Sequence, residues 1–93
     1  MKSRRRRSRA RIVLEVLEVL AREGGMPPTR LSYATRLPYD RLSSILEQLR
    51  ARGLVEVVEA EGRREVKLTR EGYTALKQLK AALRVLEALG LDY

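Results

Sequence analysis

Arginine and lysine are the residues of this chain with chemistry to offer, and they are unevenly placed. Residues 1 to 11 hold Lys2, Arg4, Arg5, Arg6, Arg7, Arg9 and Arg11 and no acid. The other 82 residues hold 13 basic and 12 acidic groups, so the formal charge of +8 belongs almost wholly to the N-terminus. Such a run suits a polyanion, because each phosphate it neutralises releases condensed counterions. The nearly neutral remainder must bind through local patches rather than through its overall field. Groups for covalent work are missing. There is no cysteine and no histidine, which removes disulfides, thiolate metal sites and an imidazole base. The acids are scattered. Gly24-Gly25 and Glu61-Gly62 read as turns, not as a phosphate-cradling loop. Neither an enzyme nor a cofactor is expected.

The 93 residues suffice for one small domain with a thin core. A hydrophobic fraction of 44% is ample for folding. Asparagine is absent and glutamine is limited to Gln48 and Gln78, a depletion of thermolabile amides that resembles thermophile proteins. The apolar run over residues 12 to 21 is interrupted by Glu15 and Glu18, too short and too charged for a membrane span or a secretory core. A cytoplasmic, nucleoid-associated location with no membrane partner is expected.

Periodicity supplies the elements that must position the cations. A basic arm, expected to be disordered, occupies residues 1 to 8, with Ser8 as a helix cap. A first helix spans residues 9 to 23, with Arg11, Glu15, Glu18 and Arg22 forming two i,i+4 pairs. Pro27-Pro28 forces an extended linker. Thr29 is then the expected cap of a second helix over residues 30 to 36, with Leu31, Ala34 and Leu37 inward. Asp40 is the expected cap of a third helix over residues 41 to 52, with Leu42, Ile45, Leu46 and Leu49 inward and Gly53 as its stop. Two strands follow, residues 55 to 60 and 63 to 68, with Glu56 and Glu59 opposite Val55 and Val57. Thr69 caps a long fourth helix. There Leu76, Leu79, Leu83 and Leu86 repeat at coiled-coil spacing, widened by Leu89.

Helix, turn, helix, hairpin, helix is the order of a winged helix-turn-helix, a mainly α fold with a small β-hairpin. It divides the chain into an arm (1 to 8), a winged helix-turn-helix domain (9 to 69) and a dimerisation helix (70 to 93). In that reading the third helix enters the major groove of double-stranded DNA. Ser43, Ser44 and Gln48 face bases there, and Arg41 faces phosphate or guanine. Glu47, near the centre of the same face, opposes phosphate. Arg63 and Arg64 at the wing tip, Arg30 and Arg36 on the second helix, and Tyr39 in the turn are further candidate contacts. Arg4, Arg5, Arg6, Arg7 and Arg9 join them on phosphates or in a narrow minor groove. Tyr33 is expected to pack in the core or the turn, and Tyr73 in the core or an interface.

Three segments resemble the small archaeal winged-helix DNA-binding proteins that include ten-kilodalton chromatin-associated dimers. They are Leu31-Ser32-Tyr33-Ala34 with Leu37-Pro38-Tyr39-Asp40-Arg41-Leu42, then Leu46 with Leu49-Arg50-Ala51-Arg52-Gly53-Leu54-Val55, then Leu68-Thr69-Arg70-Glu71-Gly72-Tyr73. The resemblance implies duplex DNA binding, in transcription regulation or chromatin architecture. It also implies a homodimer joined by an antiparallel coiled coil of the last helix. Leu76, Leu79, Leu83, Leu86 and Leu89 are the expected interface. Two rival readings remain open at this point: an RNA-binding or ribosome-associated winged helix, since an arginine-rich arm suits structured RNA equally well, and a protein-interaction module within a transcription complex.

Overall fold

The computed structural model describes residues 7–91, so the expectations for Arg4, Arg5 and Arg6 lie outside the described residues. Its elements are α1 (Arg9–Glu23), α2 (Pro28–Thr35), α3 (Tyr39–Ala51), β1 (Val55–Ala60), β2 (Arg63–Leu68) and α4 (Arg70–Ala88). This is the expected order.

α1 is the hub. Ile12, Val16, Leu17, Val19 and Leu20 are all buried, an apolar surface wide enough to meet several neighbours at once. Ser8 caps it as expected, accepting from the Arg11 amide at 3.2 Å. Gly24, at φ 81°, closes it by donating to the Leu20 carbonyl at 2.9 Å. Its charged residues reach beyond their own helix. Arg11 pairs with Glu87 of α4, Lys80 of α4 lies 3.6 Å from Glu18, and Glu15 holds Arg7. Arg22 lies beside Glu23 at 3.5 Å rather than with Glu18. Antiparallel α1 and α4 are thus registered by two pairs, one at the start of α1 and one farther along it.

The two short helices start earlier than their expected caps. α2 begins at Pro28 after Pro27, and α3 at Tyr39 after Pro38, neither with a side-chain cap. Thr29 and Asp40 therefore lie inside the first turns. The reason is proline itself, whose fixed φ suits a helix start and whose missing N–H costs nothing there. Leu31 and Leu37 are buried as expected. Ala34 faces solvent, and Thr35 takes the inward place, its hydroxyl donating to the Leu31 carbonyl at 2.7 Å. Leu42, Ile45 and Leu49 of α3 are buried and Leu46 half-buried. The helix closes with the Leu54 amide on the Leu49 carbonyl and the Gly53 amide on the Arg50 carbonyl, both at 2.9 Å.

The wing pairs Val55 with Leu68 through Ala60 with Arg63 in an antiparallel ladder. Its two-residue turn has positive φ at both Glu61 (51°) and Gly62 (75°), as a tight hairpin of matching twist requires. Glu59 shares the face of Val55 and Val57, contrary to expectation, because side chains alternate strictly along a strand. It is exposed because the strand has by then run past the core. The linker before α2 adds a bridge not legible in the sequence. Met26 and Val66 exchange backbone hydrogen bonds of 3.1 and 2.8 Å.

α4 leaves the wing through a tight junction. Thr69 accepts from the Gly72 amide at 3.0 Å and donates from the same hydroxyl to the Gly53 carbonyl at 2.6 Å. A Cβ on Gly72 would sit 2.1 Å from the Leu54 carbonyl oxygen. The leucines of α4 divide along its length. Leu76 and Leu79 pack on the core and Leu83 is buried, whereas Leu86 is half-buried and Leu89 is 67% exposed.

Arg7 also belongs to the domain. Its guanidinium pairs with Glu15 and donates to the Thr35 carbonyl at 2.9 Å and the Arg36 carbonyl at 3.3 Å. These carbonyls end α2, where the helix dipole and unmet acceptors favour a cation. Between them lies Arg36, a non-glycine residue at φ 57° that turns the chain toward α3.

Two stability predictions follow from this packing. Gly72→Ala should cost about 1–3 kcal/mol, the usual penalty of forcing a group into filled space, read as a lowered denaturation midpoint with unchanged helix content. Arg7→Ala should cost about 1–2 kcal/mol by removing charge-assisted bonds, read in the same way.

Candidate nucleic-acid interface

The exposed side of α3 follows from its buried one. With Leu42, Ile45 and Leu49 inward, the helical period turns Arg41, Ser43, Ser44, Glu47 and Gln48 outward, and all five are exposed. The face has two edges. Arg41, Ser44 and Gln48 form one, toward the start of α1. Ser43, Glu47 and Arg50 form the other, toward the wing. Here a groove opens between α3 and the hairpin, floored by Leu46, Val57 and Val66 and rimmed by Tyr39, Glu47, Arg50 and Arg64.

The other expected contacts lie on the neighbouring elements. Arg63 and Arg64 are exposed at the wing tip, Arg64 directly opposite Glu59 in the ladder. Arg30 is exposed on α2, and Arg36 is exposed at its end. Among the described residues, Arg30, Arg36, Arg41, Arg50, Arg63 and Arg64 form no ion pair. Six guanidiniums left in water with no carboxylate partner are free to take phosphate oxygens, with the bidentate geometry that arginine provides.

The remaining candidates are arranged otherwise. Arg7 spends its donors on Glu15 and the end of α2, and Arg9 donates to the Oε1 of Gln48. The structure thus brings two expected DNA contacts, Arg9 and Gln48, onto each other. Tyr33 is 85% exposed on α2 and Tyr39 50% exposed at the start of α3, so neither packs in the core. Tyr73 is 44% exposed. Sequence reasoning overlooked Arg50 as a groove residue and Tyr33 as a surface aromatic. The period of α3 does place Arg50 beside Ser43. Tyr33 falls outward because α2 is too short for an apolar stripe to fix its rotation.

Glu47 lies on the groove rim with Arg50 and Arg64, both cations, rather than standing alone before the solvent. Its charge therefore sits in a locally basic setting, which weakens its repulsion of a polyanion. No helix of the described residues is long and apolar enough to cross a membrane.

A family model described as winged helix-turn-helix matches residues 6–87. Sequence comparison with curated proteins gives no match. Among solved structures, the chain is similar to Sso10a-2, a DNA-binding protein from Sulfolobus solfataricus, with 20% identity and a TM-score of 0.79 over 89% of this chain and 85% of that one. A MarR-family transcriptional regulator from Silicibacter pomeroyi is 34% identical, with a TM-score of 0.67 over 83% of this chain and 56% of its own. A mutant MarR from E. coli, solved with operator DNA, shows 23% identity and a TM-score of 0.67 over 72% and 50%. The chain spans about half the length of these MarR-type proteins. Matched from residue 6 to residue 87 and folded in the same order of elements, this chain belongs to the winged helix-turn-helix family.

Proposed function

We propose that this protein binds double-stranded DNA as a transcription regulator or chromatin-architectural factor. α3 enters the major groove, and the wing and α2 hold the flanking phosphates. The observation that carries the reading is the set of six exposed guanidiniums without an ion pair on the helix-turn-helix and the wing, of which Arg50 and Arg64 share the groove beside α3. The DNA-binding and regulatory descriptions of the similar structures support it. Arg41 and Arg50 flank the base-facing residues Ser43, Ser44 and Gln48. Arg63 and Arg64 reach from the wing, and Arg30, Arg36 and Tyr39 from the helix-turn-helix. The run Arg4 to Arg6 adds sequence-independent attraction. The protein acts by binding, not by catalysis, and the DNA partner places it in the cytoplasm at the nucleoid.

A second copy completes the proposal. From Thr74 onward, one exposed side of α4 bears Thr74, Gln78, Ala81, Ala82, Val85 and Leu89 and no charge, in a chain with 34% charged residues. Val85 is 57% exposed and Leu89 67%. Because Leu76, Leu79 and Leu83 are engaged within the protomer, the partner meets the helix along Val85, Leu86 and Leu89 instead of along the whole leucine repeat. A charge-free face can oppose a copy of itself without like-charge repulsion. Joining two recognition helices also sets a half-site spacing.

Fluorescence anisotropy with a random duplex, an A·T-rich duplex and a structured RNA tests the DNA reading. Binding to both duplexes, steeply weakened by salt and stronger than binding to the RNA, is expected; preference for the RNA rejects it. Arg64→Ala should lower the slope of log affinity against log salt by about 0.9, the loss of one phosphate contact, whereas Arg7→Ala should leave that slope unchanged. Val85→Glu with Leu89→Glu should yield monomers of unaltered helix content in light scattering. A dimer persisting in that variant moves the interface off α4.

A further inference from the structure

Arg9 lies at the start of α1 and Gln48 in the third turn of α3, 39 residues apart, and the fold joins them. Both are exposed, so the pair stands at the surface, on the same edge of α3 as Arg41 and Ser44. We propose that Arg9 determines the base preference of Gln48, converting it from a reader of adenine into a reader of guanine. The inference rests on the docking of α3 in the major groove.

The argument is one of donors and acceptors. A glutamine amide has one acceptor atom, its carbonyl oxygen with two lone pairs, and two N–H donors. Alone in the major groove it matches adenine, accepting from the N6 amino group while donating to N7. In this structure the Arg9 guanidinium donates to the Gln48 oxygen. The amide cannot be turned the other way round, since a guanidinium has only donors and would meet N–H groups. With one lone pair of its oxygen taken by a cation, the amide accepts a second hydrogen bond less readily, and its own N–H groups and those of Arg9 together present mainly donors. Guanine offers two acceptors on its major-groove edge, N7 and O6, and so fits the pair. Adenine sets its amino donor where the pair also donates, and cytosine offers an amino donor alone. Gln48 positions the contact and Arg9 selects the base.

Selection from a pool of random-sequence duplexes, with the bound fraction sequenced, tests this for the wild type, Gln48→Ala and Arg9→Ala. The position whose preference disappears in Gln48→Ala is the one that Gln48 reads. There the wild type should enrich guanine, and Arg9→Ala should shift the preference to adenine by about tenfold, the scale of one good base contact. A purely electrostatic Arg9 would weaken all duplexes alike and leave guanine preferred, overturning the proposal. So would an unchanged pattern in Gln48→Ala, or adenine at that position in the wild type. Duplex binding with no enriched pattern overturns the proposal while sparing the DNA reading. Failure of the wild type to bind any duplex removes both.

Discussion

The backbone contact between Leu54 and Gly72 is the constraint on which the rest of the molecule depends. The end of α3, the first residue before the wing and the first turn of α4 meet there with no room for a methyl group. Thr69 fastens the same junction. Its amide donates to the Leu54 carbonyl at 3.1 Å, and its hydroxyl links the Gly53 carbonyl to the Gly72 amide. The wing is a two-stranded hairpin, which has little independent stability in water. It keeps its place against α3 because both of its ends are held at this point, while Val66 is tied to Met26 farther along. The groove beside α3 and the direction of α4 are both consequences.

Charge is organised on the same frame. Arg7 and Arg11 work inward, one closing the end of α2 and the other fixing α1 against α4. The cations of α2, α3 and the wing face water without acidic partners. Most of this contrast comes from where carboxylates lie. Glu15 and Glu87 stand within reach of the inward arginines, whereas Glu47 and Glu59 sit near the outward ones without closing an ion pair among the described residues. An exposed ion pair contributes little to stability, so leaving these guanidiniums open sacrifices little folding energy while keeping them available for a polyanion.

α4 serves two surfaces through one period. Leu76 and Leu79 pack on the core, and Leu83 is buried farther along the helix. Beyond it the domain gives out, and the same helix carries Val85 and Leu89 into solvent. A thin core leaves a helix of about 28 Å partly uncovered.

The sequence by itself determined the elements and their order, because capping, strand alternation and helical period are local properties of the chain. Ser8 and Thr69 announced two helix starts, Gly24 and Gly53 two ends, and Glu61-Gly62 the hairpin turn. The inward residues of α3 were legible from spacing, and so was its outward face with Arg41, Ser43, Ser44 and Gln48. Only the tertiary structure decided which partner each side chain meets. The leucines of α4 show a repeat that suits a coiled coil or a core equally well, and the fold packs Leu76 and Leu79 on the core and buries Leu83 while leaving Leu89 exposed. Thr35 replaced Ala34 inside because eight residues are too few for period alone to set the rotation of α2. Arg7 and Arg9 belong by composition to the basic N-terminal run, yet they find Glu15, the end of α2 and Gln48 across 8 to 39 residues of chain. Such contacts depend on how helices are brought together, and no local pattern encodes that distance.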